Sequence, residues 1–165
     1  MASFRGEFEQ VIDNKHRMAL PMALRERIVP ATDGEDFVVM LSPDKHLWIY
    51  PNLAYEKVVD ALVDGPLPAR DSGDTTLVSA MARDMKADQQ GRVVIPEKCM
   101  QRAGLKAMEP VTLVGARDHI EIWPTAEWEE HFTNSIKHYA ESWYTAAERL
   151  RRTSSQANQS PTQPR

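Results

Sequence analysis

A single cysteine, Cys99, stands in the 165 residues. That excludes an intrachain disulfide and any zinc site built on paired thiolates. No apolar run approaches the roughly 20 residues a membrane span needs. The first residues, Met1-Ala2-Ser3-Phe4-Arg5-Gly6-Glu7, lack the apolar core of a signal peptide. A cytoplasmic protein with no membrane association is the expectation. The sequence has no Gly-rich phosphate loop, no His-Glu-x-x-His and no Gly-x-Ser-x-Gly. His131 and His138 lie seven residues apart, a helical rise of about 10.5 Å that is too long to share one zinc. No enzyme, cofactor or metal site is expected.

A basic excess is also lacking, since the net charge is −4. The distribution matters more than the sum. Residues 1–30 and 79–106 together carry +4, and the remainder carries −8. An acidic body with two basic segments can meet a polyanion with one face. The composition, 42% hydrophobic and 27% charged, suits one sizeable domain or two small ones.

What is present is a repeat. Asp88-Gln89-Gln90-Gly91-Arg92-Val93-Val94-Ile95-Pro96 reads as a hairpin turn, a short buried strand and the first residue of a helix. Asp13-Asn14-Lys15-His16-Arg17-Met18-Ala19-Leu20-Pro21 repeats it, with Asp, Arg and Pro each offset by 75 residues. Asp44-Lys45-His46-Leu47-Trp48-Ile49-Tyr50-Pro51 then matches Arg117-Asp118-His119-Ile120-Glu121-Ile122-Trp123-Pro124, with His and Pro offset by 73. Two ordered matches at nearly equal offsets indicate a tandem duplication of a unit of roughly 75 residues.

Each unit reads as about four short strands, a short middle helix and a terminal helix. In the first, strands are expected over Phe4–Ile12 and Met18–Leu20, a helix over Pro21–Ile28 and an acidic loop over Ala31–Asp36. A hairpin over Phe37–Leu41 and Leu47–Tyr50 and a helix over Leu53–Val63 complete it. In the second, a strand within Thr75–Ala87 precedes a return strand over Arg92–Ile95 and a helix over Pro96–Ala103 capped by Gly104. A hairpin over Val111–Val114 and Ile120–Trp123 leads into a long helix after Pro124. On it Trp128, Phe132, Ile136, Tyr139, Trp143 and Leu150 mark one face, for its own core or a neighbouring protomer. The boundaries are 4–63 for the first repeat, 64–75 for a linker, 76–152 for the second repeat with its helix, and 153–165 for a disordered tail. One unit alone buries little. The economical fold is mainly β with flanking helices (α+β), both units sharing strands about a pseudo-twofold axis in one barrel-like core.

Phe4-Arg5-Gly6-Glu7-Phe8 followed by Ile12-Asp13, the doubled Asp-x-x-x-Arg, and Ile120-Glu121-Ile122-Trp123-Pro124 followed by Glu127-Trp128-Glu129 resemble the MraZ transcriptional regulators. The resemblance covers about residues 4–132. It implies a tandem swapped-hairpin fold like that of AbrB and MazE, a DNA-binding face built from the turns, and a ring of protomers. It further implies binding of double-stranded DNA at promoter direct repeats, upstream of a division and cell-wall gene cluster that includes the regulator's own gene. A repressor associated with the nucleoid is the expectation. The family pattern has Gly before the motif arginine, where the first half has His16, and a basic residue before that Gly, where the second half has Gln90.

The candidate DNA contacts are Arg17, Arg92, Lys15, Asn14, Gln89 and Gln90. An arginine beside a turn reaches phosphate or a guanine edge, or it bridges its own aspartate; the two roles are compatible. Asp13, Asp88, His16 and Gly91 are expected to form the turns. Arg25 and Arg27, with Lys98 and Arg102 in the equivalent helices, either widen the basic face or, as isolated residues, are solvated helix positions, and Cys99 reads as a small buried side chain. Two other functional classes stay open: a ring-forming interaction module with weakened DNA binding, which the altered turns would suit, and an antitoxin of the MazE type.

Overall fold

The computed structural model describes residues 2–63 and 72–157, with the backbone alone for 72–75 and 153–157. The chain divides into two compact units, Met1–Thr125 and Ala126–Arg165. The first unit opens with strands β1 (Glu7–Val11) and β2 (Arg17–Ala19), followed by the short helices α1 (Met22–Arg25) and α2 (Pro30–Asp33). Strands β3 (Phe37–Leu41) and β4 (Leu47–Pro51) lead into helices α3 (Asn52–Val63) and α4 (Ser72–Met81). The pattern then recurs as β5 (Arg83–Met85), β6 (Arg92–Val94), α5 (Glu97–Arg102), β7 (Pro110–Gly115) and β8 (Ile120–Pro124). Helix α6 (Thr125–Ala157) forms the second unit.

The halves exchange their first strands. An antiparallel six-stranded sheet has the order β1-β7-β8-β4-β3-β5, and β2 pairs with β6 in a separate ribbon. Thus β1 of the first half extends the hairpin of the second, and β5 of the second extends the hairpin of the first. The register carries the symmetry residue by residue. Phe8 faces Leu113 and its repeat equivalent Arg83 faces Val39. At the axis, equivalent positions face each other: Met18 faces Val93, and Trp48 faces Glu121. A pseudo-twofold through both points follows from the duplication.

Side-chain alternation sets the layers. Leu47, Ile49, Ile120 and Ile122 are buried on one face of β4 and β8, in one cluster with Met18 and Val93 of the ribbon. Leu20, Leu24, Ile95 and Met100 complete this core, so it draws on both halves throughout. On the other sheet face Val38, Met40, Tyr50 and Tyr55 form a second cluster, with Val58, Val59, Val78 and Ala82 from α3 and the α4 segment packed against it.

The mainly β class with flanking helices holds, but the sheet is open rather than barrel-like: β1 and β5 are its edges, and the ribbon pairs only with itself. Several local readings also differ. Pro21 and Pro96 are N-cap residues with extended ψ values of 139° and 134°, so α1 and α5 begin one residue later than expected. The acidic loop holds α2, in which the buried Asp33 accepts from the Val29 N–H at 3.0 Å and closes the turn. Helix α4 begins at Ser72, inside the stretch read as a linker, and Ser72–Met81 is helical through most of the segment expected to carry β5. Residues 64–71 and 158–165 of the expected linker and tail lie outside the described residues, whereas 153–157 continue α6.

Candidate nucleic-acid interface

The two Asp-x-x-x-Arg turns close in the same way. Asp13 Oδ1 accepts from the backbone N–H of Lys15 at 2.8 Å and of Arg17 at 2.9 Å, and Oδ2 accepts from Arg17 Nε at 2.7 Å. Asp88 Oδ1 accepts from Gln90 at 2.9 Å and Arg92 at 2.9 Å, and Oδ2 accepts from Arg92 Nε at 2.8 Å. A carboxylate that gathers donors in this way stays ionised. The Arg17 backbone N–H holds Asp13 below its ordinary pKa, with burial working the other way and the guanidinium adding to the lowering. The Arg92 backbone N–H does the same for Asp88. Each aspartate therefore shapes its turn and fixes the root of its arginine. Arg17 meets its aspartate through Nε, the inner nitrogen. Arg92 uses both Nε and the outer Nη2, the latter 2.8 Å from Asp88 Oδ2. A guanidinium has five N–H donors, so each arginine has further donors for another acceptor.

The ribbon brings the two arginines onto one surface. Arg17 pairs with Val94 and Arg92 with Ala19. Directly opposed residues share a face, and so do residues two apart. Arg17, Ala19, Arg92 and Val94 therefore form the outer face, while Met18 and Val93 point into the core. The arginines are diagonal neighbours, roughly 7–8 Å apart by sheet geometry. Each side chain is 35% exposed. Asn14, Lys15, Gln89 and Gln90 are exposed at the turn tips, and because the strands are antiparallel the two tips lie at opposite ends of the ribbon. Each turn is also held by the other half: Leu20 N–H donates to the Gly91 carbonyl at 2.9 Å, and Ile95 N–H to the His16 carbonyl at 2.8 Å.

The strand exchange gives a place to Arg25, which the sequence left between a solvated helix position and an extension of the basic face. Arg25 Nε donates to the Leu20 carbonyl at 2.9 Å, and its guanidinium lies over Gly91. A Cβ on Gly91 would stand 2.4 Å from Arg25 Cζ. Position 90 has lost the lysine found at 15, but Arg25 restores a cation to the second turn. Each turn then has two basic residues beside one aspartate. The signal was present in the repeat alignment, where Arg25 stands opposite the buried Met100. It needed the exchange to be interpretable.

This explains why glycine is kept at 91 and not at 16. Both residues are left-handed, with φ of +75° at Gly91 and +59° at His16. A non-glycine residue in that region is strained by about 1–2 kcal/mol. His16→Gly is expected to stabilise the protein by about 1 kcal/mol, and to keep or improve DNA affinity. Gly91→Ala is expected to cost about 1–2 kcal/mol and to displace Arg25. Urea denaturation and a gel shift on each variant check both. Loss of binding in His16→Gly at unchanged stability would make His16 a contact rather than a turn-former.

A second polar cluster lies at the pseudo-twofold on the other face of the six-stranded sheet. His119 Nδ1 is 2.9 Å from Asp118 Oδ1, and Nε2 is 3.2 Å from Glu121 Oε1. Trp123 Nε1 donates to Glu121 Oε2 at 2.6 Å. The rings of Trp48 and Tyr50 flank His119, while its equivalent His46 stacks on Trp123 at 3.6 Å. Burial opposes charge on His119, but the bonds to Glu121 and Asp118 outweigh it and raise its pKa above the ordinary 6.5. Burial likewise opposes charge on Glu121, and His119 and Trp123 outweigh it to lower its pKa from 4.5. The sign for stability follows by linkage. The raised histidine stabilises fully below pH 6.5, and that contribution is lost as pH rises through its folded pKa. The lowered glutamate stabilises above pH 4.5, and that contribution is lost as pH falls through its folded pKa. Thermal melts are therefore expected to fall between pH 6 and pH 9, by an amount that His119→Gln removes. Parallel pH profiles for the variant and the parent would refute the assignment.

Comparison with known proteins agrees with the duplicated architecture. A family model described as "MraZ protein, putative antitoxin-like" matches residues 3–75 and again residues 79–153. A protein of Lachnoclostridium phytofermentans named "Transcriptional regulator MraZ" is 32% identical over 138 residues, covering 84% of this chain and 93% of the relative. One of the same name from Pediococcus pentosaceus is 32% identical over 150 residues, 89% of this chain and 96% of the relative. Another from Clostridium tetani is 30% identical over 129 residues, 78% and 86% of the two chains. Among the described residues, no helix is long and apolar enough to cross a membrane. With one match on each half of a strand-exchanged pseudo-dimer, and relatives aligned over most of their length, the chain belongs to the MraZ family.

Proposed function

We propose that this chain is a sequence-specific DNA-binding transcriptional regulator that represses its own promoter, and that it reads direct repeats as a ring. The observation that carries the reading is the pair of turn arginines on one ribbon face, each rooted on an aspartate. A two-stranded ribbon fits the major groove, and a guanidinium with N–H donors beyond those spent on its aspartate suits a guanine edge or two phosphate oxygens. Lys15 and Arg25 supply phosphate contacts. Asn14, Gln89 and Gln90 add neutral donors and acceptors within reach of base edges. Asp13 and Asp88 shape the turns and touch no phosphate, because a carboxylate facing the backbone is repelled.

Four cations per protomer give a log-affinity salt slope of only about −3.6. The acidic remainder of the chain opposes binding further. Tight occupancy therefore requires several protomers on one DNA, where effective concentration turns weak contacts into a strong one. A closed ring presenting successive ribbons to successive repeats meets that need. The reading of a ring that has lost DNA binding rests on His16 and Gln90. Its support weakens because the His16 turn has the hydrogen bonds of the Gly91 turn, and because Arg25 replaces the charge missing at position 90.

Affinity is expected to rise with repeat number and to fall when the spacing between repeats is shifted by half a helical turn. Gel shifts at fixed salt with one, two and three repeats of the DNA upstream of the protein's own gene measure both effects. Equal affinity for one repeat and three, or indifference to the half-turn shift, would refute the multivalent mechanism.

A further inference from the structure

Between the two turn arginines the outer face of the ribbon is apolar, and its two ends differ. The register sets Arg17 against Val94 and Ala19 against Arg92. The bonds from Ile95 N–H to His16 and from Leu20 N–H to Gly91 bracket these pairs. Antiparallel ladders alternate, so both are non-hydrogen-bonded pairs, the class with the closer side chains and Cα atoms about 4.5 Å apart. The backbone N–H and carbonyl of Arg17 bond instead to Asp13, on the far side of β2 from β6. Arg92 bonds to Asp88 in the same way. The Nε bonds draw each guanidinium toward that same aspartate, away from the opposing strand. The middle of the face is left to Ala19 and Val94, and Val94 is 55% exposed.

A lone exposed valine is ordinary on a protein surface, and β-branched residues favour strands. Val94 differs by where it stands, beside Arg17 on the face that the proposed function lays in the major groove. The base-pair edges there display hydrogen-bond donors and acceptors, and one alkyl group, the thymine C5 methyl. Against valine a donor or acceptor loses water and gains no partner. A methyl group in the same place gains from the contact. The pseudo-twofold exchanges Arg17 with Arg92, so the arginines alone read a site equally in either orientation. It also exchanges Val94 with Ala19 and Lys15 with Gln90, and these are unlike. The Arg17 end therefore carries Lys15 and Val94, and the Arg92 end carries Gln90, Ala19 and the guanidinium of Arg25. Direct repeats present every copy in one orientation, and a ribbon with unlike ends can tell that orientation from its reverse.

We propose that Val94 is a specificity-determining residue of this face, taking the C5 methyl of a thymine at the Arg17 end of each site, while Ala19 leaves the matching position at the Arg92 end unread. The inference rests on the assignment of the ribbon face to DNA and adds to it a base and a direction of reading.

Methyl deletion tests it, with the full chain and the DNA immediately upstream of the protein's own gene. Each thymine of one repeat is replaced in turn by deoxyuridine, which removes the methyl and keeps every hydrogen-bonding group. Anisotropy titration at fixed salt is expected to show one thymine whose methyl strengthens binding about fourfold, the effect of burying one carbon. Val94→Ala is expected to bind thymine and uracil alike at that position, with the circular dichroism and melting of the parent. Ala19→Val, an independent variant, is expected to gain a second preference of the same size, for thymine at the position related to the first by the twofold of the site. Indifference of the parent to methyl deletion at every thymine would overturn the proposal. So would an unchanged thymine preference in folded Val94→Ala. Either result leaves the arginines on DNA. Failure of the parent to bind this DNA even at low salt would overturn the DNA reading itself, and the role of Val94 with it.

Discussion

Replacing both turn arginines, Arg17→Ala with Arg92→Ala, is expected to abolish specific DNA binding at physiological salt while the fold persists. A guanidinium that reads a base is worth about 1–3 kcal/mol of affinity. Loss of both therefore weakens binding by roughly 2–6 kcal/mol, about thirtyfold to more than ten-thousandfold. Stability changes far less. Each arginine pairs with its aspartate at the surface, where solvent screens the interaction. Asp13 and Asp88 also keep their backbone donors at positions 15, 17, 90 and 92, so the turns still close. Gel shift and circular dichroism on the same preparation separate the two effects. A folded double variant with parental affinity would remove both residues from the interface.

The second large effect is on stability. Ile122→Ala is expected to destabilise the protein by about 2–5 kcal/mol, the range for truncating a fully buried branched side chain. Ile122 has no solvent exposure and pairs with Leu47, so the cavity opens between strands of different halves. Against a typical total of about 5–15 kcal/mol, that loss is a large fraction. Because β1 and β5 are exchanged, neither half keeps a complete sheet when the other loosens. Residues 2–125 are therefore expected to unfold in one transition, with tryptophan fluorescence and circular dichroism coincident in urea. A variant in which the second half melts first, leaving the first half intact, would contradict the shared core.

The duplication was legible because chemistry recurs at fixed offsets: Asp, Arg and Pro at 75, His and Pro at 73. The turns were legible for the same reason, down to the left-handed conformation at His16. Partner choice was harder. Nothing local tells β1 to pair with β7 rather than β3, and only the shared core settles it. On that account Arg25 stood only as one of four helix cations, either widening the basic face or solvated, since its place over Gly91 depends on the exchange. Helix α4 was missed for a different reason. Its start, Ser72-Gly73-Asp74, carries turn-forming residues, and Val78 packs against the Tyr50–Tyr55 cluster. Tertiary burial there outweighs local propensity. The proline positions differed by one because an N-cap needs extended ψ, which proline adopts as readily as the first helical turn. The α6 stripe was visible from the start, but what it packs against was not, because an amphipathic face looks the same over a core and over a neighbour.

The most direct test of the turns as the DNA-binding element is the salt dependence of affinity for the DNA immediately upstream of the protein's own gene. It is measured for the parent and for the Arg17→Ala, Arg92→Ala variant. With four cations per protomer in the parent and two in the variant, the log–log slope is expected to fall by half, from about −3.6 to about −1.8 per bound protomer. Equal slopes for the two proteins, or no binding by the parent even at low salt, would contradict the assignment of this face to DNA.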